Sequence, residues 1–175
     1  KELIYSTVTD FFDDVRANGG EIPEFYDDLQ HHAAGCYATV GHVKNGIRRG
    51  ETSLSAAEAY SVIANKLCGK KVDNAKFEEA WKNILFLHFH DSMGGCSIKE
   101  VHDDARYMYG MAENTAAVAE NNALQTISWA IDTQDKSKGL PVVIFNPNGF
   151  DIEELVSVNK QAKVVRDKDG NVVPS

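Results

Sequence analysis

The 175-residue sequence holds only three cysteines, Cys36, Cys68 and Cys96. They are odd in number and far apart. They make neither a disulfide framework nor a metal-binding pair motif, so a reducing, cytoplasmic setting is expected. Long hydrophobic runs are also missing. No apolar stretch approaches the ~20 residues of a membrane-spanning helix, and no apolar leader of the signal-peptide kind opens the sequence. Excess positive charge is lacking as well. Eighteen Lys and Arg stand against 26 Asp and Glu, a formal net charge of −8, and no basic run interleaves with aromatics. Nucleic acid and membrane are therefore not expected partners. There is no internal repeat and no low-complexity segment.

What is present is ordinary globular composition, 43% hydrophobic and 25% charged, in a length that suits one domain or two small ones. The sequence does not start with Met, and it stops at Pro174-Ser175 just after a strand-like stretch. It reads as a piece of a longer polypeptide.

The stretch that organises the rest is 83–100. A strongly apolar run, Ile84-Leu85-Phe86-Leu87, carries His88, Phe89, His90 and Asp91 to its end and breaks at Gly94-Gly95. Ser97 followed by Glu100 has the form of a capping box, which predicts a new helix from Ser97. His90 and Asp91 then sit at the mouth of a helix–turn–helix, where the backbone is fixed and side chains still reach a cleft. On one continuous helix His88 and His90 are separated by about 200°, so only one can serve a given site. His90, beside Asp91 and the break, is the candidate. Composition alone also allows either histidine to be a helix-end or satisfied core residue.

The other segments follow from periodicity and punctuation. Residues 7–18 read as a short helix with Thr9 or Thr7 as its cap, an apolar stripe of Val8, Phe11, Phe12 and Val15, and Gly19-Gly20 at its end. Residues 19–37 read as irregular chain. Their His31-His32 pair lacks a third ligand nearby, and adjacent side chains seldom face one ion, so exposed loop histidines are expected. A helix is predicted from about 39 to 67, its first half weakened by Gly41, Gly46 and Gly50 by up to ~1 kcal/mol each relative to Ala. A second opens at Asp73 or Asn74 and runs through Phe77, Trp81, Ile84, Leu85 and His88. A third spans about 98–131, with an inner face of Val101, Ala105, Met108, Ala112, Thr115, Val118, Asn122 and Ile127. Short connections make these an up-down-up bundle. A polar linker, 132–139, precedes a change of character. Residues 140–147 read as a buried-type strand, 152–160 as an alternating strand, and 164–173 as a hairpin with Asp-Gly in its turn. The fold class is mainly α, a three-helix bundle with a short N-terminal helix and the first strands of a C-terminal β domain.

Three blocks, in this order, carry a family likeness. His32-Ala33-Ala34-Gly35-Cys36-Tyr37-Ala38 comes first, followed by Lys44 and Arg48-Arg49. Phe89-His90-Asp91 and its Gly-containing turn come next, at the end of an apolar helix. Val143-Ile144-Phe145-Asn146-Pro147 is the third. Together they resemble the class II α-mannosidases, glycoside hydrolase family 38, over most of the chain. The resemblance implies a tail of the catalytic α/β domain in 1–30, a three-helix-bundle middle domain in 31–135 and the first strands of a β-sandwich domain in 138–175. It also implies a parent that is a zinc-dependent retaining exo-α-mannosidase acting on a mannose-containing oligosaccharide. In that family the zinc takes a His and a pair of Asp from the catalytic domain and one His from the helical domain. The last matches His90, and the adjoining sugar-contacting aspartate matches Asp91. No catalytic residue matches within this chain: the nucleophile, the acid/base and the paired His-x-Asp ligands are missing. The chain alone is thus expected to be inactive and to hold zinc weakly, its partners being the remaining domains of the same polypeptide. The competing reading, a non-catalytic helical interaction module, accounts for the bundle and the acidity but not for an apolar helix ending in Phe-His-Asp.

Overall fold

The computed structural model describes residues 3–133 and 139–174. The first helix, α1 (Val8–Asn18), starts at a complete capping box. The Asp10 N–H donates to Thr7 Oγ1 at 3.2 Å, and the Thr7 hydroxyl and N–H both donate to Asp10 Oδ2. These bonds satisfy amides that have no partner within the helix. The Thr7 hydroxyl and N–H together hold the Asp10 carboxyl below its ordinary value. The apolar stripe of α1 is not buried by the rest of the chain: Val8, Phe11 and Phe12 all stand exposed.

Residues 19–37, expected to be irregular, contain a 3₁₀ turn (Gln30–Ala33) and a short helix, α2 (Ala34–Ala38). The His32 ring donates from Nδ1 to the Leu29 carbonyl at 2.8 Å inside this turn. The side chain of His31 lies outside what is described, as do residues 134–138 of the expected linker.

Three long helices form the body: α3 (Gly41–Cys68), α4 (Asn74–Leu87) and, after a short α5 (His90–Gly94), α6 (Lys99–Trp129). Among the buried positions of α3, Val43, Ile47, Gly50, Leu54, Ala57, Ser61 and Ala64 alternate steps of four and three, with Gly46 and Tyr60 buried beside them. That is the 3.5-residue spacing of a seam between nearly aligned helices. On α6 the buried positions are Ala105, Ala112, Ala116, Ala123 and Ile127. Four alanines on this face let α6 lie close against α3. Of the inner face expected for α6, Ala105, Ala112 and Ile127 are buried, whereas Val118 is half exposed and Asn122 lies on the surface, their places taken by Ala116 and Ala123. The buried positions from Ala105 to Ala123 are all alanine, which fits close packing of α6 on α3.

The glycines of α3 belong to the same geometry. A Cβ at Gly46 would sit 2.5 Å from the Tyr109 ring of α6, and one at Gly50 would sit 2.4 Å from Ile84 Cδ1 of α4. The propensity cost of glycine in a helix is accepted because two neighbouring side chains occupy the space a Cβ would need. A salt bridge from Arg49 Nε to Glu113 Oε1, 2.9 Å, ties α3 to α6 beside this contact.

Asp73 caps α4 by accepting from the Lys76 N–H. Helix α6 does not begin as expected: Ile98 occupies the cap position, no side chain caps it, and the Ser97–Glu100 capping box is not formed. Beyond the bundle, Phe145 lies edge-on to Tyr60 with ring centroids 5.9 Å apart, which joins the C-terminal segment to a second small cluster of Tyr60, Ala64, Ala123 and Ile127. Burial, and then the Glu120 carboxylate, push the Tyr60 phenol up from its ordinary value.

The hairpin is present as β1 (Val165–Arg166) and β2 (Val172–Val173), antiparallel, with Val165 opposite Val173. Asp167 Oδ1 accepts from the Asp169 and Asn171 amides in its turn, and Gly170 takes the positive φ of 89°. Residues 140–147 and 152–160, read as strands, are not strands in the structure. A single extended segment has no ladder partner for its backbone groups, and sequence pattern alone does not supply one. No helix among the described residues is long and apolar enough to cross a membrane.

Candidate functional site

The apolar run of α4 ends earlier than its composition implies. The His88 and Phe89 N–H groups donate to the Leu85 and Phe86 carbonyls, three residues back, both at 3.2 Å. The last turn is thereby tightened. Phe89 then turns out of the helix at φ −53°, ψ 132° and becomes the cap of α5. Its carbonyl accepts from both the Ser92 and Met93 amides at 3.0 Å. At the far end Gly95 adopts φ 74°, and the Cys96 N–H closes back on the Asp91 carbonyl at 3.1 Å. The break thus falls in two places, at Phe89 and at Gly95, with His90 and Asp91 on the short helix between them.

This corner is fastened to the start of α3. Lys44 Nζ donates to the Met93 carbonyl at 2.6 Å and to the Thr39 carbonyl at 2.5 Å. Gly95 packs so closely that a Cβ there would lie 2.4 Å from Thr39 Cγ2 and 2.7 Å from Val40 Cγ2. Val40 itself has φ 49°, ψ 48°, a left-handed conformation that a β-branched residue adopts only under constraint. Helix α2 lies against α5. The blocks 32–38 and 89–95, distant in sequence, therefore meet at one end of the bundle.

The two histidines of the run face different surroundings. His88 Nε2 lies 2.9 Å from Glu51 Oε1 on α3, and Glu51 also faces Arg48 at 3.7 Å. His90 Nε2 lies 3.3 Å from Asp91 Oδ1, and its side chain is 82% exposed against 38% for His88. The Phe89 ring sits 4.4 Å from the His90 ring. The helix breaks between them, so the angle expected on one continuous helix does not apply. Among the described residues no group of three or more His, Cys, Asp or Glu gathers in a way that could hold a metal.

Two neighbouring residues were not picked out from the sequence. His42 and His102 lie edge-on with ring centroids 6.4 Å apart. His42 Nε2 and His102 Nδ1 are buried without a hydrogen-bond partner. No local pattern marks this pair, which forms only when α3 and α6 pack. Lys44 was visible as part of a motif, but its role as a clamp on two carbonyls depends on the fold.

The fold is that of a helical module, a three-helix bundle with an exposed His-Asp pair on a clamped corner. The family model for the alpha mannosidase middle domain matches residues 30–127, and the chain belongs to that family. Alpha-mannosidase G of Dictyostelium discoideum is 21% identical over 188 residues, covering 94% of this chain and 17% of that protein. The chain thus spans about a sixth of the length of this relative. No solved structure matches.

Proposed function

We propose that the chain is a segment of a zinc-dependent, retaining exo-α-mannosidase that hydrolyses terminal α-mannosides. In this reading His90 supplies one zinc ligand and Asp91 one sugar contact. The observation that carries it is the largely exposed His90 imidazole, beside Asp91, on a short helix whose far end is held by the Lys44 clamp and the Gly95 contact. A fixed backbone with an accessible ring nitrogen is what a ligand needs when its companions come from another domain. The donor types suit the ion: imidazole and carboxylate are both ordinary ligands of zinc. Zinc, when bound, supplies a Lewis-acidic seat for sugar hydroxyls. Asp91 orients the His90 ring through the 3.3 Å contact and offers its carboxylate to hydroxyl donors of the sugar.

Retaining hydrolysis needs a nucleophilic carboxylate and an acid/base carboxyl flanking the scissile bond. Both are assigned to the rest of the polypeptide, so the chain alone is inactive. Residues 1–30 are read as the tail of the catalytic α/β domain, 31–135 as the middle domain and 138–175 as the start of a C-terminal β-sandwich domain. Phe86, Phe89 and Ile98 near the corner each expose an apolar side chain, which suits cover by the catalytic domain.

The test is metal content and aryl α-mannoside turnover of the full-length parent with His90→Ala. The expected result is a loss of zinc affinity of more than about tenfold, with turnover falling alongside. Unchanged zinc and unchanged turnover would overturn the assignment.

A further inference from the structure

At the opposite end of α3 from the His90 corner, about 19 residues and so roughly 30 Å along the helix, the structure holds a cleft of about 350 Å³. It lies between the end of α3, the α3–α4 connection and the middle of α6. We propose that this cleft binds a small phosphomonoester with a hydroxylated carbon skeleton, of the size of a hexose phosphate.

Charge is the first reason. The protein is acidic, at −8 overall, yet the lining of this cleft carries Lys70, Lys71 and Lys76 against the single carboxylate of Asp73. Asp73 is already engaged, capping α4 through the Lys76 N–H at 3.3 Å and facing Lys76 Nζ at 3.7 Å. Lys70 and Lys71 make no ion pair with any described residue. Two uncompensated ammonium groups beside a concave surface match a phosphate dianion.

The second reason is independent of charge. Ser61 is only 7% exposed, lines the cleft, and its hydroxyl makes no hydrogen bond to a described residue. The hydroxyl is thus free to meet a ligand in the cleft it lines. Its neighbours in sequence behave otherwise: Thr52 and Ser55 on the same helix return their hydroxyls to the carbonyls four residues back. Across the cleft α6 presents the side-chain amides of Asn114 and Asn122, eight residues apart and so on one face. A hydroxyl and two amides are suited to sugar hydroxyls, while Phe77 and Val72 supply an apolar wall for the C–H face of a ring. The volume is near the lower end of small-molecule sites, which favours a single ring with its phosphate over a dinucleotide.

This inference does not rest on the His90 reading and is tested separately. Glucose 6-phosphate is titrated into the 175-residue chain and followed by amide NMR shifts and calorimetry, with glucose and inorganic phosphate as separate arms. The expected result is saturable binding that perturbs the amides of Lys70, Lys71 and Asn122, with the ester tighter than either component. The double variant Lys70→Gln, Lys71→Gln is expected to weaken the ester about tenfold or more. Ser61→Ala is expected to weaken it with an unchanged thermal melt. Lys82→Gln, on the outer face of α4 and paired with Glu78, should leave affinity unchanged. Inorganic phosphate binding as tightly as the ester would overturn the proposal in favour of a plain anion site. So would the absence of binding up to about 10 mM, or an affinity equal in wild type and double variant.

Discussion

The ammonium of Lys44 reaches from the first turns of α3 to the carbonyl of Met93, 49 positions away in sequence, at 2.6 Å. Because it also holds the Thr39 carbonyl, one side chain joins the entry to the bundle, the positive-φ Val40 and the turn that follows His90 and Asp91. Lys44→Met keeps much of the aliphatic stem and removes both hydrogen bonds. Hydrogen bonds from a charged donor contribute about 1.5–3 kcal/mol each, less what water restores, so a loss of about 2 kcal/mol is expected in urea unfolding of the chain. Hydrogen exchange should rise first at residues 92–96. A wild-type midpoint in the variant would show that the clamp contributes nothing.

Two helical glycines should respond in opposite directions to the same substitution. At Gly46 an added Cβ meets the Tyr109 ring at 2.5 Å, whereas at Gly110 nothing lies within 4 Å. Gly46→Ala is expected to destabilise by about 1–3 kcal/mol through overpacking, and Gly110→Ala to stabilise by about 0.5–1 kcal/mol through the unfolded chain and helix propensity. Paired denaturation curves decide it, and equal effects at the two sites would mean that α3 and α6 do not approach as described.

The capping box of α1 gives a pH dependence with a definite sign. Hydrogen bonds from the Thr7 side chain and backbone lower the folded-state value of the Asp10 carboxyl below 3.8. A carboxyl with a lowered folded value adds stability that is present above its unfolded value and lost as the pH falls through the folded one. Helical chemical shifts of residues 8–12 should therefore hold down to about pH 4 and decline below it. In Asp10→Asn that acid-side decline should vanish. An identical acid titration in both proteins would remove Asp10 from the cap.

In the proposed zinc reading, His88 and His90 separate stability from function. His88 pairs with Glu51 across α3 and α4 at 2.9 Å, so His88→Ala in the full-length parent should reduce stability by about 1 kcal/mol and leave zinc content near wild type. Asp91→Asn should keep zinc and raise the KM for an aryl α-mannoside, since an amide oxygen accepts sugar hydroxyls less strongly than a carboxylate. Zinc lost in His88→Ala and retained in His90→Ala would mean that the other histidine carries the site.

The sequence by itself determined whatever depends on residues within about four positions of one another. The starts of α1 and α4 are legible to within two residues, with Thr7 or Thr9 and Asp73 or Asn74 as caps, because a cap is satisfied within three residues. The Asp-Gly of the hairpin is local in the same sense, and Phe89-His90-Asp91 is legible as the end of an apolar helix. Tertiary structure decided the rest. An alanine-rich helix such as α6 has several faces of similar hydropathy, and only the shape of α3 selects the one holding Ala116 and Ala123. The apolar stripe of α1 shows that amphipathicity states a need for cover without saying what provides it. The break at Phe89 and the idle capping box at Ser97 have the same origin: Lys44 and the Thr39–Gly95 contact hold the corner from another helix. Long-range hydrogen bonds and steric fit then override the local signals that pointed to one unbroken run.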